Sequence, residues 1–111
     1  MSVEPAEADA FSRWLAHLCG VLAKRNRSIY EIGYDLLAFG SWVIVVGTRH
    51  RRLRLTWDGK EHYLSIEVAS FPSSGTVAVW VDIDDTTLSL PNGHATIDSA
   101  SRIAQFVAQH T

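Results

Sequence analysis

The chain has 111 residues, 47% of them hydrophobic and 20% charged, with a formal net charge of −2. That length suits one domain spanning 1–111 with a real core, the composition excludes a disordered chain, and the charge argues against a generally basic nucleic-acid binder. The average conceals a basic zone: between positions 24 and 60, Lys24, Arg25, Arg27, Arg49, Arg51, Arg52, Arg54 and Lys60 stand against Glu31, Asp35 and Asp58 alone.

Cys19 is the only cysteine, which rules out an internal disulfide and a thiolate-rich metal site within one chain. The N-terminal stretch MSVEPAEADAF carries acidic residues and no basic region or apolar run, unlike a secretory signal. No apolar segment approaches the ~20 residues that cross a membrane. The expected location is therefore the cytoplasm, with no membrane partner.

Residues 1–5 are expected to be a flexible tail, with Pro5 compatible with the first turn of a helix. From there to about Arg25, Phe11, Trp14, Leu15, Leu18, Val21 and Leu22 recur at helical spacing while Arg13, His17 and Lys24 fall opposite, giving an amphipathic helix with one buried stripe. Cys19 lies at the margin of that stripe and reads as a small core residue. Ile29 to Ile32 suggests a short edge strand, and Tyr34, Leu36, Leu37 and Phe39 an apolar cover over part of the core.

Ser41 to Ala69 is the densest β-forming stretch. Trp42 to Val46 is apolar at every position, so the strand is covered on both faces or meets a partner on one. Next, Leu53, Leu55 and Trp57 alternate with Arg52, Arg54 and Thr56. Asp58-Gly59 signals a hairpin, after which His62, Leu64, Ile66 and Val68 alternate with Tyr63, Ser65, Glu67 and Ala69. Pro72 to Gly75 reads as a turn. Val77, Val79, Val81 and Ile83 alternate with Ala78, Trp80 and Asp82 in a last strand, its valines directed inward. Asp84 to Ala95 reads mostly as loop, with Leu88 to Leu90 available for a short edge pairing. Thr96 or a neighbour caps a final helix whose apolar stripe is Ile97, Ala100, Ile103, Ala104 and Val107.

The predicted fold class is α+β: an antiparallel sheet of four to five strands with the N-terminal and C-terminal helices on one face. The second face would then carry Arg52, Arg54, Thr56, Tyr63, Ser65, Glu67 and Trp80, with Arg52 and Arg54 placed to pair across strands with Glu67.

Motifs for catalysis or metal binding are weak. Asp82-Ile83-Asp84-Asp85-Thr86 resembles the DxDxT opening of the haloacid dehalogenase-like phosphotransferases, which would make Asp82 the nucleophile and place leaving-group chemistry on Asp84. Only 25 residues follow Thr86, without a lysine or a second aspartate pair, and that family requires a longer chain and a parallel sheet. The histidines have no HExxH spacing, and no serine sits in a GxSxG elbow. No catalytic residue, metal ligand or cofactor site is assigned, and the chain reads as non-enzymatic.

The order of a helix, AFGSWVIVV, RRLRLTWDG, HYLSIEV and a final helix resembles small bacterial proteins of immunity-protein-like or type III chaperone-like organisation, over about positions 10 to 110. That resemblance implies a non-catalytic module that binds a protein partner, neutralising or chaperoning a toxin or effector. By location, the candidate partner-binding residues are Arg51, Arg52, Arg54, Trp57, Tyr63 and Trp80. The alternatives are a nucleic-acid-binding module using Arg49 to Arg54, and a small enzyme. A homodimer is a further expectation, because SWVIVV and the tryptophan-bearing face offer more apolar surface than two short helices cover.

Overall fold

Five strands in chain order form one antiparallel sheet, flanked in sequence by two helices, in a computed structural model that describes residues 5–35, 40–61, 63–71, 78–83 and 97–111. The elements are α1 (Pro5–Ala23), β1 (Ser28–Asp35), β2 (Ser41–Gly47), β3 (Arg51–Asp58), β4 (Tyr63–Ser70), β5 (Val81–Asp82) and α2 (Ile97–His110). The strand order is β1-β2-β3-β4-β5. Hairpin connections suffice for such a meander, and no crossover is needed.

The α+β arrangement is thus as expected. One buried cluster joins both helices to one sheet face. Phe11, Trp14, Leu18 and Leu22 of α1 and Ala100, Ile103, Ala104 and Val107 of α2 meet Trp42, Ile44, Val46, Leu53, Leu55, Trp57 and Ile66. Leu15 and Val21 pack at its margin, and Phe106, outside the predicted stripe, is also inside. Small Ala100 and Ala104 bring α2 close to its neighbours. Between the helices, the buried Trp14 Nε1 donates to Ser99 Oγ at 3.1 Å, so the one polar atom of that indole is satisfied in the core.

Register places these residues. Trp57, Leu55 and Leu53 face Trp42, Ile44 and Val46 across β2–β3, and Leu64, Ile66 and Val68 across β3–β4. Because opposed residues share a face, the whole set is directed at the helices. Cys19, by contrast, is exposed on α1, one residue away from buried Leu18 and therefore about 100° around the helix. It is not a core residue.

Helix ends and turns are closed by local chemistry. Asn26 adopts φ 57°, Arg27 N donates to Leu22 O at 2.9 Å and Asn26 N to Ala23 O at 3.1 Å. This is a Schellman ending with asparagine in the left-handed position. Gly47 has φ 146°, and a Cβ there would lie 2.4 Å from Arg51 O, so the β2–β3 turn requires glycine. At the β3–β4 turn, Asp58 Oδ1 accepts from Lys60 N at 2.9 Å and Glu61 N at 3.1 Å, an Asx turn that realises the Asp58-Gly59 signal.

Two expectations are revised. β1 runs to Asp35, longer than Ile29 to Ile32, with a bulge between Ile29 and Glu31. The last strand is only Val81–Asp82, and Val79 and Val81 are 74% and 58% exposed. Val81 opposes Val68 on the helix side of the sheet, but the helices lie toward β1 and β2, so Val81 continues the inner face past its cover, and Val79 precedes the strand. Half-buried Ile83 reaches the core. The tail at Met1 to Glu4, Leu36, Leu37, Phe39, His62, the Pro72 to Gly75 turn, Val77, the Asp84 to Ala95 loop and the Thr96 cap lie outside the described residues.

Leu18 is fully buried in the middle of the helix–sheet core. Leu18→Ala is expected to destabilise by about 2–5 kcal/mol, read as a lower urea midpoint with unchanged slope. Ser99→Ala leaves the Trp14 indole N–H buried without its acceptor and is expected to cost about 1–3 kcal/mol by the same measurement.

Candidate functional site: an arginine–aromatic series on the second sheet face

The opposite parity of β3 and β4 builds the other face. Arg52 opposes Ala69, Arg54 opposes Glu67, and Thr56 opposes Ser65. Arg54 grips Glu67 with two parallel bonds, Nε to Oε1 at 2.8 Å and Nη2 to Oε2 at 2.7 Å. This is the bidentate geometry that a planar guanidinium allows, and it confirms the cross-strand pairing read for Arg54.

Arg52 behaves differently. Its Cζ lies 3.7 Å from the centroid of the Tyr30 ring and 4.1 Å from that of Phe71, while its Nε and Nη2 donate to Thr48 O at 3.3 Å and Arg49 O at 3.4 Å. Phe71 meets Trp80 edge-on at 6.0 Å and 72°, and Arg54 Cζ lies 4.5 Å over Trp80. Tyr30, Arg52, Phe71, Trp80, Arg54 and Glu67 therefore form one continuous series of stacked and paired side chains. Cation–π contacts of this kind contribute about 0.5–1 kcal/mol each where exposed and more where desolvated.

Beneath the series, Val45 and Ala69 are each only 3% exposed although neither belongs to the helix-facing cluster. Val45 lies between Glu31 and Arg54 in the register and Ala69 opposite Arg52. The apolar run Trp42 to Val46 is thus covered on its second side at Val45 within one chain, with long side chains supplying that cover.

The electrostatics of the face are nearly self-contained. Hydrogen bonding to Glu67 raises the Arg54 pKa, burial opposes the shift, and the charges of Glu67, Glu31 and Asp82 add to it. Hydrogen bonding from Arg54 lowers the Glu67 pKa below its ordinary value, burial opposes, and the Arg54 charge adds.

The predicted site residues separate. Arg52, Arg54 and Trp80 are brought together in the series. Tyr63 is 63% exposed on the same face but four residues along β4 from Glu67, about 13 Å at the usual strand rise. Trp57 is a correction: it is 3% exposed and lies in the core, because it shares the parity of Leu53 and Leu55. Arg51, though exposed, lies apart from the series. It also has that inward parity, lies at the strand end, and donates from Nε to His110 O at 2.8 Å, holding the end of α2. Arg27 does the same from the other side, with Nη2 to Ala108 O at 3.2 Å and Nε to Thr111 Oγ1 at 2.7 Å. Two cations thus sit at the negative end of the α2 dipole.

Tyr30 and Phe71 were not among the predicted contacts. Phe71 continues the Glu67 and Ala69 parity by one step, a signal present in the sequence. Tyr30 is placed by the β1 bulge, which the sequence does not announce. Of the other cations of the basic zone, Lys60 is in the β3–β4 turn, and three gather at the other end of the sheet, where the end of α1, the β2–β3 turn and the end of α2 meet. Lys24, Arg25 and Arg49 are exposed there. Asp82 pairs in register with Glu67, in an antiparallel sheet unlike that of the phosphotransferases, and Asp84 to Thr86 lie outside the described residues. Among the described residues no group of three His, Cys, Asp or Glu side chains could hold a metal, and no helix is long and apolar enough to cross a membrane. Comparisons with protein-family models, curated proteins and solved structures give no match.

The depressed Glu67 pKa fixes a sign. The stabilisation from its pairing is fully present above the ordinary carboxylate value of 4.5 and is lost as pH falls through the lower folded value. Glu67→Gln is expected to cost about 0.5–1 kcal/mol at neutral pH, with the gap to wild type closing in acid, as read from urea melts at the two pH values. Arg51→Ala is expected to weaken the last turn of α2 by about 0.3–1 kcal/mol, seen as faster amide exchange there and not in β3.

Proposed function

We propose that the chain is a non-catalytic protein-binding module whose docking surface is the second sheet face. The observation that carries this reading is the series from Tyr30 to Glu67. Tyrosine, tryptophan and arginine are the side chains most enriched among energetically dominant interface residues. Here they are already held in place by one another, which lowers the ordering entropy that association would otherwise cost. The charge arrangement favours a protein surface over a phosphate backbone, since Arg54 is neutralised by Glu67 and two Arg52 nitrogens are engaged by main-chain carbonyls. A role in neutralising or chaperoning a toxin or effector, as the sequence resemblance implies, is the narrower form of this proposal, acting in the cytoplasm without cofactor or metal.

A second reading, nucleic-acid binding, shifts from Arg49 to Arg54 toward Lys24, Arg25 and Arg49, the exposed cations at the end of the molecule. Its signature is affinity that falls steeply with salt.

Affinity capture from lysate of the source organism separates the two. Wild type is compared with Trp80→Ala and with the pair Arg25→Ala and Arg49→Ala. The protein-binding reading expects one stoichiometric protein, lost at least about tenfold with Trp80→Ala, a loss of the size expected for an interface anchor, and retained by the charge pair variant. Nuclease-sensitive recovery lost only in the pair variant would overturn it in favour of nucleic acid.

A further inference from the structure

We infer that the protein docking on the second sheet face meets it with a basic surface, its lysine or arginine side chains directed at Glu31 and Asp82. This rests on the protein-binding reading of that face and names the chemistry of the partner. Register draws one row of outward residues across all five strands: Glu31 opposes Val45, Val45 opposes Arg54, Arg54 opposes Glu67, and Glu67 opposes Asp82. The row holds three carboxylates and one guanidinium, a formal charge of −2.

What the internal pairing leaves over is therefore acidic. Arg54 gives Nε and Nη2 to Glu67. Glu31 and Asp82 act on Arg54 only through space, and neither has an ion pair of its own among the described residues. Both are exposed. Arg52, the next outward residue along β3, is stacked on Tyr30 and Phe71 and donates to the carbonyls of Thr48 and Arg49, which holds its charge toward the β2–β3 turn. A run of arginines in the sequence thus yields a face whose unanswered charges are carboxylates.

Their placement suits a rim. Glu31 is two strands from Arg54 on one side and Asp82 two strands on the other, about 10 Å each way at the usual strand spacing. They bracket the arginine–aromatic series, and charges bordering an aromatic patch form the polar margin of an interface. Opposite charge there steers approach and fixes orientation. Trp80 lies two residues before Asp82 on the same face, its ring already holding Arg54, so a cation paired with Asp82 arrives beside a group that attracts cations. The other occupants fit less well. A phosphate backbone or an acidic protein surface would set like charges together across the row, and a purely apolar surface would bury Glu31 and Asp82 unpaired.

The test selects peptides from a random library displayed on phage, using the full chain as bait. The recovered sequences are then made as synthetic peptides and titrated at low and physiological salt. Those that lose binding to Trp80→Ala are seated on this face. They are expected to carry net positive charge and to bind the paired variant Glu31→Gln with Asp82→Asn about five- to tenfold more weakly. Their salt dependence is expected to be shallower on that variant than on wild type, and Glu61→Gln in the β3–β4 turn is expected to leave their affinity unchanged. Because Glu31 and Asp82 are exposed, the paired variant keeps the circular dichroism spectrum of wild type. Trp80-dependent peptides of neutral or negative charge, or basic ones indifferent to the paired variant, would overturn the basic partner and leave the protein-binding reading standing. Recovery of no Trp80-dependent peptide would overturn both.

Discussion

The pleat of β3 is the constraint on which the rest of the molecule depends. Leu53, Leu55 and Trp57 fall on one side and Arg52, Arg54 and Thr56 on the other. As the central strand, β3 transmits that division to β2 and β4. A slip of one residue would direct two arginines at the helices and expose two leucines that are now fully buried. The core and the arginine–aromatic face are therefore two consequences of one alternation, and neither can be altered in register without the other.

The same alternation distributes the basic zone. Residues adjacent in the chain need not act together. Arg51 goes to the end of α2, Arg52 between Tyr30 and Phe71, and Arg54 to Glu67. Most of a run that reads as a patch of positive charge is engaged by carbonyls, rings and a carboxylate. Of what remains exposed, Lys24, Arg25 and Arg49 are drawn together from two segments by the meeting of chain turns and helix ends at one end of the sheet, and Lys60 stands apart in the β3–β4 turn.

Much of this was legible in the residues. Helical spacing identified α1 and α2, period-two alternation identified β3 and β4 with their faces, and the Arg54–Glu67 pair followed from strand order. The misses have physical causes. Trp57 has the composition of a contact residue and the parity of a core residue, and parity decided. Cys19, at the margin of the α1 stripe, has the usual character of a small core residue, but the rotation from Leu18 carries it outside. Val79 and Val81 have inward-facing patterning, but a strand pattern says nothing of how far the helices extend above it. Tyr30 depends on a bulge, and a bulge is fixed by pairing with β2 and not by its own sequence. Phe71 was within reach of the alternation, two residues beyond Ala69, where the strand pattern was followed.

The four tryptophans divide unequally between the two faces. Trp14, Trp42 and Trp57 are each 3% exposed in the core, and Trp80 alone lies among the arginines outside it. The indoles therefore form two optical populations, one shielded from aqueous collisional quenchers and one with access to them. A molecule settling on the outer face would alter the emission of a single fluorophore while the other three report whether the interior is intact, so occupancy and unfolding are spectroscopically separable without a label.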